Sequence, residues 1–168
     1  MSTIQLELQG LRMTANASEH QVRRAVVTGV TKYLAEARHT QGSKFSARQV
    51  LEKNTMLIER TIYDKEAQGL KPDQVDFLLL AQTELAKYPE GDAVLLTLCN
   101  DLYLLDVLEE EAYEQWWGDS RSQANEEMRN ARLKTAPWIK ALAEAEEESS
   151  EGEEDDEVVD DENESEDD

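Results

Sequence analysis

The sequence has few of the residues that usually carry catalysis or bind metals. It contains one cysteine, Cys99, and two histidines, His20 and His39, among 168 residues. A single cysteine excludes an intramolecular disulfide, and since Cys99 lies in an apolar run we expect a buried structural thiol. Neither histidine has cysteines or carboxylates at metal-ligand spacing, so we predict no metal site and no cofactor. The patterns GxxxxGK[ST], GxGxxG and GxSxG are absent, which leaves no candidate for covalent catalysis.

Long apolar runs and positive charge are also scarce. No run of about 20 apolar residues and no signal peptide is found, so we expect a soluble, cytoplasmic protein. The chain has 17 Lys and Arg against 38 Asp and Glu, a formal net charge of −21. Such a balance repels phosphate backbones and anionic lipid and favours basic partners. We therefore expect no direct binding to nucleic acid or membrane.

The negative charge is concentrated at the C-terminal end. Residues 144–168 hold 17 of the 38 acidic residues and no Lys or Arg. A segment with so few apolar residues cannot bury enough surface to offset the entropy of the chain. We predict one helical domain, residues 1–147, followed by a disordered acidic tail, residues 148–168. This tail is either a docking segment or only an aid to solubility.

The first predicted helix, residues 4–15, has apolar residues on two sides. One stripe consists of Ile4, Leu8, Leu11 and Ala15. On the opposite side lie Leu6 and Met13. An opening helix with two apolar sides lacks a neighbour, so either a preceding helix or a partner covers one side.

Helical spacing of apolar residues continues through the rest of the domain, without strand alternation. The second helix begins with a capping box of Ser18 and Gln21, and we interpret its Gly29 as a site of close helix packing. Other predicted helix starts or caps are Ser46, Pro72, Asp92, Asp106 with Glu109, Ser122 and Pro137. The predicted fold is therefore all-α, an α-solenoid of antiparallel helix pairs of the HEAT type.

Two stretches rich in acidic and aromatic residues are candidate binding sites. The first, residues 106–117, starts with acids that suit a helix N-terminus and places Trp116 on a core stripe. Tyr113 and Trp117 lie together on a flank beside the acids, and the sequence leaves open which of them is exposed to a basic partner. The candidates from this stretch are Glu109, Glu110, Glu111, Tyr113 and Trp117.

The second stretch, residues 138–148, ends in acids. Core packing would explain Trp138, but acids crowded at a helix C-terminus oppose its dipole and repel each other. We infer that something other than stability maintains them. The candidates from this stretch are Trp138, Glu144, Glu146, Glu147 and Glu148.

These two acidic and aromatic boxes resemble those of a translation-initiation family. The family includes the C-terminal domains of initiation factor 5 and of the ε subunit of initiation factor 2B. The run from Leu6 to Asn16 resembles the LE-x-x-x-LR-M-x-x-N opening of the ε-subunit domain, and the tandem Trp116-Trp117 also looks more like that subunit. The chain departs from the family at Ala141, where a Trp is usual, and in lacking helical sequence before the opening motif.

The resemblance implies a guanine-nucleotide exchange domain that acts on initiation factor 2 without covalent chemistry. The family's boxes bind the lysine-rich segment of the factor 2 β subunit, and its functionally critical pair falls on Leu6 and Glu7. The implied partners are the γ GTPase subunit, the β-subunit segment and, through an N-terminal part missing here, other subunits of factor 2B. A non-catalytic adaptor of the factor 5 type and an acidic chaperone-like module remain alternatives.

Overall fold

The computed structural model describes residues 18–150, which are helical throughout apart from turns and one connector. The α-helices are α1 Glu19–Gln41, α2 Ala47–Glu59, α3 Pro72–Leu85, α4 Gly91–Leu104, α5 Glu110–Gly118, α6 Glu126–Arg132 and α7 Ala136–Ser150. Short 3₁₀ helices cover Gly42–Lys44, Ser120–Gln123 and Leu133–Thr135. No strand occurs in this part of the chain. The predicted first helix, residues 4–15, lies outside the described residues.

The helices stack in two rows. In one row α1 contacts α3, α3 contacts α5 and α5 contacts α7, whereas in the other α2 contacts α4 and α4 contacts α6. The pairs α1–α2 and α3–α4 are joined through short connections and also contact each other. Contact between each helix and the next but one is the arrangement of an α-solenoid. The predicted all-α, HEAT-like fold is confirmed.

Helix α3 forms the centre of this stack. Phe77, Leu78 and Leu85 are at most 1% exposed, and full burial of one such side chain contributes about 1.5–3 kcal/mol. Pro72 opens the helix as predicted, where its missing N–H costs nothing. Asp64 caps the helix from the preceding connector, since its Oδ2 accepts from the backbone N–H groups of Asp73 at 2.6 Å and Gln74 at 3.4 Å.

A buried cation joins α1 to α3. The side chain of Arg23 is 3% exposed and forms ion pairs with Asp73 at 2.9 Å and Asp76 at 2.6 Å. Its Nε also donates to the backbone oxygen of Thr61 at 2.9 Å. These partners come from α3 and from the turn that follows α2, so this side chain links the first helix pair to the second.

The local signals differ in how well they predict helix ends. The capping box is confirmed, because Gln21 N–H donates to Ser18 Oγ at 3.2 Å and Ser18 N–H to Gln21 Oε1 at 2.8 Å. Asp92, predicted as a cap, lies inside the first turn of α4 and pairs with Lys134 at 3.3 Å. The polar helix predicted from Ser122 to about Thr135 is divided into α6 and two 3₁₀ turns.

Asp106 ends α4 and does not begin α5, contrary to the prediction. It has φ 56° and donates its N–H to Tyr103 O at 3.1 Å, while Val107 N–H donates to Leu102 O at 3.0 Å. These two bonds around a left-handed residue form a Schellman motif. Asp suits both a helix start and this left-handed position, so the sequence alone favoured the wrong role.

The two glycines inside or at the start of helices have different surroundings. A Cβ on Gly91 would lie 1.7 Å from Leu85 O, so α4 begins against the backbone of α3. Gly29 is exposed, and no described atom lies within 4 Å of where its Cβ would be. None of the helices described makes the close contact that was predicted at Gly29.

Candidate partner-binding surface

The fold brings the two acidic and aromatic stretches together, because α5 contacts α7. Trp138 of α7 lies edge-on to Tyr113 and Tyr103, with ring centroids 5.0 Å and 5.9 Å away. Its indole Nε1 donates to Asn100 Oδ1 at 3.2 Å. Trp138 is half-buried by these contacts, so it fixes the position of α7 against α4 and α5.

Tyr113 is a core residue, which corrects its prediction as a partner contact. Its side chain is 0% exposed, and its hydroxyl donates to the backbone oxygen of Cys99 at 2.9 Å. Burial raises the pKa of Tyr113 well above its ordinary value. Cys99 itself is buried as expected, and burial raises the pKa of its thiol. The phenol therefore joins α5 to α4 and is not available to a partner.

Trp116 and Trp117 point into different surroundings. Trp116 is fully buried, as its stripe predicts, and its Nε1 donates to Gln82 Oε1 at 2.9 Å. Trp117 is half-buried, and the guanidinium of Arg132 lies 4.1 Å from its ring centroid. Arg132 also donates to Trp117 O at 2.7 Å, and burial lowers the pKa of this guanidinium. Trp117 thus belongs to the α5–α6 contact, apart from Tyr113.

Three glutamates meet where α5 and α7 cross. Glu110 and Glu114 are one turn apart on α5, and both interact with Glu146 of α7. We call these three residues the carboxyl cluster. Among residues 18–150, no Lys or Arg forms an ion pair with any of them. The cluster is therefore a concentration of negative charge without a cation from the described chain.

The crowding of the carboxylates helps to raise the pKa values of Glu110 and Glu114. Partial burial raises the pKa of Glu110, and the charges of Glu114 and Glu111 raise it further, against a hydrogen bond with Glu146 that lowers it. Partial burial also raises the pKa of Glu114, as do the hydrogen bond and charge of Glu146 and the charge of Glu111. A cation placed here would relieve the repulsion and favour the ionised carboxylates.

Glu109 is already paired inside the domain. Its carboxylate lies 2.7 Å from the buried Lys71 Nζ and accepts from Gln74 Nε2 at 2.8 Å. Partial burial raises the pKa of Glu109, but hydrogen bonds from Lys71 and Gln74 and the charges of Lys71 and Lys65 outweigh it, so the net shift is downward. This predicted binding residue is therefore engaged in holding α5 to α3.

The remaining predicted acids lie on the surface around the cluster. Glu111 is exposed at the start of α5, and Glu144, Glu147 and Glu148 are exposed on α7. Only Glu144 of these has a described cation, Lys140, at 3.7 Å. Helix α7 continues to Ser150, three residues into the segment assigned to the tail. The predicted exchange residues Leu6 and Glu7 and residues 151–168 lie outside the described residues.

Sequence reasoning missed Glu114, although its spacing from Glu110 was visible. Residues at i and i+4 share a helix face, so the pair was a readable signal of adjacent charge. The third member, Glu146, becomes a neighbour only through the packing of α7 on α5. No periodicity within one helix reports such a contact.

Residues 18–150 show neither a metal centre nor a membrane-spanning helix. They contain no group of three or more His, Cys, Asp and Glu arranged to hold a metal ion. None of the helices described is long and apolar enough to cross a bilayer.

A comparison with protein families identifies this part of the molecule. Residues 73–152 match the family described as W2: eIF4-gamma/eIF5/eIF2-epsilon. The match runs from the first turn of α3 to just beyond α7, and so includes both stretches and the carboxyl cluster. Comparison with solved structures gives no match. The C-terminal helices of this chain are thus similar to the W2 domain family, whose description names these translation-initiation proteins.

Proposed function

We propose that the α5–α7 surface binds a lysine-rich segment of translation initiation factor 2. The observation that supports it is the carboxyl cluster, in which Glu110, Glu114 and Glu146 crowd together without a described cation. Lysine side chains of a partner would supply that cation. The exposed Glu147 and Glu148 lie on other sides of α7 and add negative charge around this part of the helix, where they would attract further lysines of the segment.

Electrostatic docking of this kind is fast and sensitive to salt. Exposed charges of opposite sign steer the two partners together, and the effect falls as the ionic strength rises. Trp138 contributes indirectly, because it holds α7 against α5 and thereby brings Glu146 to Glu110 and Glu114. The aromatic core and the acidic surface are thus two sides of one helix pair.

We further propose that the domain promotes release of GDP from factor 2, through Leu6 and Glu7. This step rests on the resemblance of the opening motif to the ε-subunit domain. A carboxylate can compete for the Mg²⁺ or the P-loop Lys that holds the β-phosphate, and an apolar side chain can keep a switch segment open. Exchange by this route needs no covalent intermediate and no cofactor. The whole domain would act in the cytoplasm, where the GTPase works.

The decisive experiment measures release of labelled GDP from purified factor 2. We expect addition of the chain to accelerate release, and Glu7→Ala to abolish the acceleration while binding to factor 2 persists. If the unchanged chain bound factor 2 but left GDP release at the unstimulated rate, a non-catalytic adaptor of the factor 5 type would be favoured. If Glu7→Ala accelerated GDP release as strongly as the unchanged chain, Glu7 would have no role in exchange.

An acidic chaperone-like module is the second alternative. It would need only the acidic tail, residues 149–168, whereas docking on the two acidic and aromatic stretches would persist in part without them. Removal of those residues therefore separates the two proposals. Complete loss of binding to factor 2 would support the chaperone-like module.

A further inference from the structure

An apolar groove of about 570 Å³ lies between α1 and α2. Its lining runs along α1 from Ala25 to Gln41, along α2 from Gln49 to Leu57, and through Lys44, Phe45 and Ser46 between the two helices. We propose that this groove binds an amphipathic helix of a partner protein, with apolar residues on the inserted side and Asp or Glu on the flanks. The inference goes beyond the proposed function, because it concerns a different surface and stands whether or not α5 and α7 bind factor 2.

The floor and the length of the groove suit a helix. Val26 and Val30 are buried, and Val50 and Leu57 are partly buried, so the floor is apolar. The α1 lining covers residues 25–41, a span of 17 helical residues that is about 25 Å long. A helical partner places apolar residues on one face at every third or fourth position, so it can contact the floor over this whole length.

The surface of α1 leaves room for that helix. Ala25 and Gly29 are one turn apart, and both are exposed. No described atom lies within 4 Å of where a Cβ on Gly29 would be, and a glycine lets another backbone come close. Tyr33, one turn further along, is 56% exposed. This edge of the groove is therefore open, with an aromatic ring available to a partner.

Within the described part of the chain, the charged side chains of the lining are two lysines. Lys44 and Lys53 line the groove, whereas no Asp or Glu does, although the whole sequence contains 38 of these acids. Among residues 18–150, neither lysine forms an ion pair. Two cations beside an apolar floor match a helix that carries acidic residues next to its apolar stripe.

The charge around the groove is also positive. Residues 18–60, which include α1 and α2, contain eight Lys and Arg against four Asp and Glu, whereas residues 61–150 contain eight against twenty. The groove thus lies on the positively charged part of the described chain, and the carboxyl cluster lies on the negatively charged part. An acidic helix would be attracted to the groove and repelled by the α5–α7 surface.

The terminal segments of the chain match the groove less well in composition. Residues 151–168 contain 13 acids, but Val158 and Val159 are their only apolar side chains, too few to cover the apolar floor. Residues 1–17 contain one acid, Glu7, and one base, Arg12, so they bring no net negative charge to the two lysines. A partner helix that is both apolar and acidic meets both requirements.

The first test measures binding of a designed helical peptide to the full chain. The peptide has about 18 residues, enough for a helix of about 27 Å, with Leu on one face, Glu on both flanks and a fluorophore. We expect saturable binding that is at least tenfold weaker with Gly29→Trp, which fills the groove, and unchanged with Ala124→Trp, at an exposed position between α5 and α6. A peptide of the same composition in scrambled order should not bind. Absence of binding by the designed peptide, or equal weakening by both Trp variants, would overturn the proposal.

A matched pair of variants tests the role of the lysines. Lys44→Gln with Lys53→Gln should weaken binding roughly 2- to 30-fold, as expected for two exposed charge pairs. Lys87→Gln with Lys140→Gln removes the same charge from exposed positions outside the groove and should leave binding almost unchanged. Equal weakening by both pairs would show that net charge alone attracts the peptide, and would contradict docking in the groove.

Thiol labelling of the full chain carrying Gly29→Cys distinguishes other occupants. Cys99 is 0% exposed, so a maleimide reports the groove under native conditions. We expect rapid labelling that saturating peptide slows at least tenfold. Slow labelling without peptide would show that the protein covers its own groove, through a second copy if the rate depends on protein concentration and through a segment of the same chain if it does not. Either result would overturn the proposal.

Discussion

Glu109 and Glu110 are neighbours in sequence, yet their carboxylates have opposite surroundings. Glu109 pairs with the buried Lys71 and accepts from Gln74, and its net pKa shift is downward. Glu110 meets Glu114 and Glu146, and its pKa is raised. One carboxylate is committed to the fold, whereas the other adds to a surface that no Lys or Arg among residues 18–150 neutralises. The acidic residues of one helix start therefore serve two different purposes.

The largest expected effect on stability is at Glu109. Glu109→Ala leaves Lys71, whose side chain is 4% exposed, without its carboxylate. Removing one partner of a buried pair costs about 3–5 kcal/mol; because Glu109 is partly exposed we expect about 2–3 kcal/mol. Chemical denaturation would measure the loss. Glu111→Ala, an exposed acid in the same turn, is the control and should change stability by less than about 0.5 kcal/mol.

A substitution in the carboxyl cluster is expected to change stability less, and in the opposite direction. Glu114→Gln removes repulsion from Glu110 and Glu146 and should raise the free energy of unfolding at pH 7 by about 0.3–0.5 kcal/mol. A loss of stability at pH 7 would show that the charge of Glu114 is compensated.

The same substitution has a defined pH dependence. The pKa of Glu114 is raised from its ordinary value of 4.5. Between 4.5 and the raised value, the folded chain binds more protons than the unfolded chain, so Glu114 makes the wild type gain stability as the pH falls. The advantage of Glu114→Gln should therefore shrink as the pH falls from 7 towards 4. Glu109, with its lowered pKa, has the opposite sign, and its contribution is lost on acidification.

A modest effect, on binding and not on stability, is expected at Ala141. This residue is exposed on α7, three positions before Glu144, where the resemblance leads one to expect Trp. An indole at an exposed site interacts with a lysine by about 0.5–1 kcal/mol, so Ala141→Trp should tighten binding of a lysine-rich peptide roughly two- to fivefold. Fluorescence titration would measure it. Ala124→Trp, at an exposed position between α5 and α6, is the control and should bind like the wild type.

The elements set by local chemistry were predictable. The capping box at Ser18, Pro72 at the start of α3 and the buried stripe of Trp116 all depend on residues within a few positions of each other. Asp106 was misassigned because a helix start and a left-handed helix end both favour Asp, and only the backbone φ separates them. These cases concern one helix at a time.

The functional surface depended on contacts between helices. The sequence could not decide between Tyr113 and Trp117, because the answer lies in the neighbours that each ring meets. Tyr113 meets α4 and α7 and is buried, whereas Trp117 meets Arg132 of α6 and stays half-exposed. Glu114 was missed for the same reason, since Glu146 approaches it from another helix. Sequence located the acidic region but not its arrangement.

The most direct test of the carboxyl cluster is the affinity of a lysine-rich peptide for the triple variant Glu110→Gln, Glu114→Gln, Glu146→Gln. Three exposed charge pairs at about 0.2–1 kcal/mol each predict binding roughly 3- to 150-fold weaker, with a reduced salt dependence and no loss of stability. The control neutralises the exposed Glu66, Glu126 and Glu127 in the same way and should bind almost as the wild type. Equal weakening in both variants would show that net charge alone attracts the peptide, and would contradict a binding role for the cluster.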